Sequence, residues 1–364
     1  MSAIDEPSIA FVAAPGADTL RDRRLTIARR VAVTTWAVVV GYRTATGGLA
    51  FNRELLLLYI CTGLLATSIG RRRLLYVIRD WLPFALVLVV YDLSRGAADL
   101  VGTRTLWQIQ IDVERWLFFG TVPTVWLQEQ LKERDPPWWE VAISTTYMSF
   151  FILPYVVAGV LWLRNREEWK AFVRLFVALN FTALVIYVAL PASPPWAAAR
   201  CRAGDIEGGP PQPLCMFRRP MAVPDGGILG AMHTAQPGAN PVVERISTRG
   251  WATLNLDTAR VLIDEGQASV NLVAAIPSLH AALSAAIAVF LWRRVHRRWR
   301  PVLAAYVGIM AFTLVYSAEH YVIDILLGWA LAVVVMLAID WFRSRRAEPS
   351  PEVAEIQPSA AATS

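Results

Sequence analysis

The sequence predicts an all-α integral membrane protein with about eight transmembrane helices, and three observations carry that expectation. Of 364 residues, 55% are hydrophobic and only 18% charged, whereas soluble domains carry about 25% charged residues. Apolar runs recur at lengths near the roughly 20 residues a helix needs to cross hydrocarbon. Finally, the arginines gather between those runs, on every second connection, as the positive-inside rule requires. The net charge of +6 does not imply nucleic acid, because no basic stretch is solvated and interleaved with aromatics. Fifteen tryptophans fit the interfacial belts of a membrane protein.

The apolar segments run roughly 30–48, 54–70, 75–93, 138–162, 171–190, 273–292, 301–318 and 320–342. Arg21 to Arg30 precede the first, and Arg71, Arg72, Arg73 and Arg79 lie between the second and third. Arg164, Arg166 and Lys170 lie between the fourth and fifth, and Arg293 to Arg300 between the sixth and seventh. Arg343, Arg345 and Arg346 follow the eighth. Eight spans with both termini cytoplasmic satisfy the rule at each turn. The N-terminus shows no basic region followed by an apolar one, so the first span is expected to act as the address. The expected destination is the plasma membrane.

Two outer connections remain. Leu106–Gly120 mixes apolar and charged positions at helical spacing and reads as a helix lying in the interface. Residues 191–272 form a Gly/Pro-rich loop too long to be a mere connector. Cys201 and Cys215 share it, and a disulfide is expected if it faces an oxidising compartment. The expected organisation is an N-terminal piece with two extra spans (1–74), a catalytic transmembrane domain (75–342) and a disordered tail (343–364).

Chemistry concentrates in the last third, where Ser278 and His280 open the sixth segment and His320 and Asp324 open the eighth. In the eight-span topology both imidazoles belong at the same depth, near the outer face. Four residues apart on one helix, His320 and Asp324 share a face. The carboxylate then fixes the imidazole tautomer and leaves the other nitrogen as a nucleophile. Pro277 suits the first position of a helix whose N-terminus offers N–H groups to an anion. Gly328, one turn further, permits close approach of a neighbouring helix. A lone membrane histidine is more often a packing hydrogen-bonder. The conjunction is different, since ionisable groups within a membrane are functional by default. For a metal, the sequence offers no third strong ligand except Glu319, which points elsewhere on a helix. No metal or cofactor is expected. A proton-relay transporter is a competing class, although its charges would run through the midplane.

These residues resemble the type 2 phosphatidic acid phosphatase (PAP2) superfamily. The matching stretches are Pro277-Ser-Leu-His280, His320-Tyr-Val-Ile-Asp324 and Leu190-Pro-Ala-Ser-Pro-Pro-Trp196. The last is similar to the branch of inositolphosphotransferases that contains the inositol phosphorylceramide synthases. The resemblance spans roughly 75–342 and implies a six-helix core. It implies His320 as nucleophile, Asp324 as its orienting group and His280 as acid and base. It also implies a lipid phosphotransferase acting through a phosphohistidine, with a lipid phosphate phosphatase as the alternative. The expected partners are a phospholipid or polyprenyl phosphate and a hydroxyl acceptor. The phosphatase branch's basic residues are missing here: Thr313-Leu-Val-Tyr-Ser-Ala-Glu319 holds no arginine. Arg200, Arg202, Arg218 and Arg219, with Asp92 and Arg95, are the alternative candidates for substrate contacts. Tyr316, Glu319 and Ser278 are the candidates beside the histidines.

Overall fold

The computed structural model describes residues 15–47, 53–71, 74–97, 102–254 (apart from 209, 211 and 235) and 272–347. The expected disordered tail beyond Ala347 and the loop stretch 255–271 lie outside them. The chain forms two compact units, one up to Leu86 and one from Val87. In the first, α1 (Pro15–Gly47) packs on α2 (Arg53–Ser68). The Trp36 indole donates to the Tyr59 carbonyl at 2.9 Å, and Gly63 leaves room for its ring. The cut between units falls inside α3 (Leu74–Ala97).

The second unit holds α4 (Ile109–Leu117), α5 (Pro123–Leu131), α6 (Glu140–Arg164), α7 (Arg166–Ala189), α8 (Leu279–Trp292), α9 (Arg300–Tyr316) and α10 (Val322–Ala347). A helix therefore forms on each of the eight expected segments. Four helical stretches among the described residues are long and apolar enough to cross a bilayer: Glu140–Arg164, Arg166–Ala189, Arg297–Tyr316 and Val322–Arg345. Leu55–Ser68 and Leu279–Trp292 are shorter apolar helices. The outward faces of the four long stretches carry Val156, Val185, Ile309, Phe312, Leu327, Val334 and Leu337, all exposed. In water such a surface would be an aggregation hazard; in lipid it is the solvated face. The protein is an all-α, multi-pass membrane protein.

Sequence explains the joints. Asn165 ends α6 and caps α7, its side chain accepting from the N–H groups of Glu167 and Glu168. α8 is built largely of Ala, Ser, Leu and Ile, nearly all buried. Its slim profile lets α6, α7, α9 and α10 pack around it. Gly328 on α10 meets the Ser278 carbonyl, which any Cβ would strike. The expected close approach therefore occurs at the mouth of α8.

Several expected boundaries shift: α1 begins at Pro15, well before 30, and α7 at Arg166, before 171. α8 begins at Leu279, not 273, because Val273 and Ala275 instead pair their backbones with Ala192 (2.6 and 3.3 Å). Pro277 therefore precedes the helix, and Ser278 caps it. α10 begins at Val322, not 320, and runs through Ala347, past the expected end at 342.

The described part of the long loop is folded. Short turns at Pro195–Ala198, Ala203–Ile206, Leu214–Phe217 and Arg249–Leu254 punctuate it, and Cys201–Cys215 staples it. Trp107, Ile111, Trp196, Met216, Leu229, Val243, Ala318 and Tyr321 share one apolar core with this loop. The loop thus packs on the turn that carries His320. At Gly227 the backbone takes φ +59° against the carbonyls of Ala198 and Cys201, a place only glycine fits.

Candidate active site

His320 lies in the turn between α9 and α10, and the residues around it explain the turn. Ala318 adopts φ 59°. The Ala318 N–H donates to the Val315 carbonyl (3.1 Å) and the Glu319 N–H to the Leu314 carbonyl (3.0 Å). That pair of bonds is a Schellman motif, which ends α9 and turns the chain. The turn is held from two sides: Trp196 donates its N–H to the Ala318 carbonyl (3.1 Å), and Ile246 to the Ser317 carbonyl (3.2 Å).

Asp324 sits in the first turn of α10, wholly buried. Its Oδ2 accepts from the Tyr321 N–H at 3.0 Å, half of a capping box. The same oxygen lies 3.6 Å from His320 Nδ1. That is longer than a hydrogen bond, yet close enough for a direct charge interaction. The expected pairing is present, but its geometry is corrected. His320 precedes the helix, so a capping motif, not a shared helical face, brings the two groups together.

His280 arrives on α8. The helix origin is tethered twice, by Ser278 N–H to the Asp324 carbonyl (2.9 Å) and by the Tyr187 hydroxyl to the Pro277 carbonyl (2.8 Å). The His280 ring lies against three aromatics of α6. It is stacked on Tyr147 (5.0 Å) and leans on Phe150 (3.9 Å), with Phe151 at its edge (5.9 Å). Its centroid is 5.6 Å from that of His320. Two imidazoles, one from α8 and one from the turn before α10, thus lie close together, and the second is backed by a carboxylate.

The other expected residues are placed as follows. Ser278 is buried, and its hydroxyl oxygen accepts from the Ala281 N–H (3.3 Å) as the cap of α8. Tyr316 is wholly buried, and its hydroxyl donates to Glu140 (2.7 Å), itself paired with Arg249 (2.8 Å). Its hydroxyl is therefore spent inside the protein. Glu319 accepts both arms of Arg245 (2.7 and 3.1 Å) and the Ser247 hydroxyl. Arg200 donates to the Met216 carbonyl (3.0 Å) and lies over the Trp196 ring at 5.0 Å, with Arg245 over the same ring at 5.1 Å. Arg202 pairs with Asp225, and Arg218 with Asp205. Arg219 is exposed in the loop. Asp92 is exposed on α3 and Arg95 lies one turn on, its side chain outside the described residues. Among the described residues, no group of three His, Cys, Asp or Glu side chains could hold a metal ion.

Sequence reasoning missed Glu114, Arg245 and Glu140. The interfacial reading gave α4 a polar face turned to water. In the structure Gln110, Ile111 and Glu114 face inward. Gln110 donates to the Ser193 carbonyl (3.2 Å), and Glu114 accepts from the Val322 N–H. The reason is that backbone groups buried at the site need partners. A Gln/Glu pair at i,i+4, with Trp116 and Phe119 exposed on the far side, was the available signal. Burial, opposed by the Val322 bond and assisted by the Asp324 charge, pushes the Glu114 carboxyl up to about 8.

The fold is that of a multi-pass membrane protein that brings His280 and His320 together beside Asp324. Residues 109–338, more than half of the chain, match the model of the PAP2 superfamily, and the chain belongs to that superfamily. The match begins at α4, so α1 to α3 lie outside it. The chain is also similar to the phosphoinositol dihydroceramide synthase of Bacteroides thetaiotaomicron, 24% identical over 210 residues, covering 55% of this chain and 57% of that protein. It therefore spans less than two thirds of that relative's length. No solved structure matches the chain.

Proposed function

We propose that the protein is a lipid phosphotransferase that moves a phosphorylated head group from a membrane lipid to a hydroxyl acceptor. The observation that carries this reading is the opposed pair His280–His320, 5.6 Å between centroids, with Asp324 behind His320. Two bases facing one gap suit a two-step displacement. In the first step His320 Nε2 attacks phosphorus while Asp324 holds the proton on Nδ1. The P–O bond to the leaving lipid breaks, and the imidazolium of His280 protonates the departing oxygen. In the second, the neutral His280 takes the proton of the acceptor hydroxyl. That oxygen attacks phosphorus, and the bond to His320 breaks. Protons balance over the cycle, with His280 returned to its starting state.

The folded loop supports transfer over hydrolysis, because a packed cover restricts water at a phosphohistidine. The arginine alternation supports a site on the outer face with both termini cytoplasmic. The relative's name points to a phosphoinositol head group and a dihydroceramide-type acceptor as the first pair to try. The test supplies the purified chain in lipid vesicles with a phosphoinositol-bearing glycerolipid and labelled dihydroceramide. A labelled phosphoinositol product is expected. Release of free inositol phosphate alone, with no transfer product, would overturn the transferase reading in favour of the phosphatase one.

A further inference from the structure

Glu114 takes no part in the steps above, yet it is buried at the helix end that carries Asp324. Its side chain is wholly buried, and one oxygen accepts from Val322 N–H, the first of α10. Its other oxygen, Oε2, has no hydrogen-bond partner among the described residues, nor have Asp324 Oδ1 and the Tyr321 hydroxyl. Asp324 meanwhile takes the N–H one residue earlier, that of Tyr321. Two carboxyl groups from different helices thus sit on successive N–H groups at one helix end, and the charge of Asp324 acts on Glu114. Tyr321 feels the charges of both carboxyl groups and of Arg115 on α4, and His320 lies across from Asp324. Carboxyl groups sharing one dry site do not both ionise. The proton must rest on one of them. On Asp324 it would remove the acceptor that orients His320; on Glu114 it leaves that acceptor intact.

We propose that Glu114 is a positioning residue which carries the proton of the Glu114–Asp324 pair, so that Asp324 stays ionised behind His320. This rests on the phosphohistidine reading above. When Glu114 ionises, a second negative charge arrives beside Asp324. It repels the incoming phosphate. Turnover then falls as pH rises through about 8.

The experiment measures transfer from the phosphoinositol lipid to labelled dihydroceramide, and the thermal midpoint of the full chain in vesicles, from about pH 5.5 to about pH 9.5. Glu114→Gln keeps the shape and the donor but cannot ionise. Its alkaline limb is expected to move up by at least about one pH unit. Glu114→Ala is expected to lose about tenfold in kcat with little change in KM, and Glu114→Gln to recover most of that loss. The stability sign follows from a carboxyl whose folded pKa is raised. Its contribution is fully present below about pH 4.5 and lost as pH rises to about 8. The wild-type midpoint should therefore fall across that window more steeply than that of Glu114→Gln. An unchanged alkaline limb and an unchanged midpoint slope in Glu114→Gln would overturn the proposal. The midpoint arm needs no turnover, so it stands apart from the functional reading. That reading fails separately if His320→Ala still turns over lipid.

Discussion

At the scale of residues, the site asks for three different losses. His320→Ala removes the attacking nitrogen and should lower transfer by at least about a thousandfold, to background, with the fold intact by thermal melting. His280→Ala removes the proton shuttle and should cost on the order of 10²–10⁴ in kcat. Asp324→Asn keeps the shape but offers no charge to Nδ1, and about a hundredfold loss in kcat is expected, with the pH profile displaced. Trapping with a donor labelled in its phosphorylated head group and an alkaline quench, which the P–N bond survives, separates these variants: label should stay on the chain in wild type and be absent from His320→Ala. The histidines and Asp324 were legible in the sequence because two of only four histidines stood beside helix-start signals, one of them with a carboxylate four residues on. Arg245, Glu140 and Glu114 were not legible. Each acquires its meaning only from a partner 74, 109 or 208 residues away.

At the scale of elements, the turn between α9 and α10 carries the most consequence. Ala318 holds the left-handed position of the Schellman motif with its methyl buried. An L-residue there costs roughly 1–2 kcal/mol, and the packing of Trp196 and Ile246 on the turn over-determines it. Ala318→Val puts a β-branched side chain in that conformation. It should destabilise by on the order of 2 kcal/mol and lower activity further by moving His320. The Tyr316–Glu140–Arg249 chain fixes the segment Arg249–Leu254 on α6. Glu140→Ala leaves a largely buried guanidinium without its carboxylate and should cost about 3 kcal/mol, read as a lowered midpoint. Away from the start of α1, the helix segments were readable from hydropathy to within a few residues, except at the two ends that form the site. There the chain trades helix for capping motifs and backbone pairing, which hydropathy does not report.

At the scale of the whole molecule, the described part of the long loop packs on the turn that carries His320, where it is proposed to act as a cover. Its staple, Cys201–Cys215, closes 14 residues. A closed loop of that size restricts the unfolded chain by about 3 kcal/mol. Cys201→Ser paired with Cys215→Ser should lower the midpoint under oxidising conditions and leave α6 to α10 helical by circular dichroism. If the cover restricts water, the same variant should raise the share of hydrolysis over transfer, measured as free head group against transferred product.

The sequence by itself determined the membrane class, the helical segments and the identities of the opposed groups. Those follow from composition, period and local spacing, which are one-dimensional properties of the chain. Only the tertiary structure decided that His320 stands before its helix, that α4 turns its carboxyl inward and that Tyr316 and Glu319 are spent on internal partners. The physical reason is that buried polar groups must find partners. Which ones they find depends on contacts between stretches of chain that no local pattern encodes.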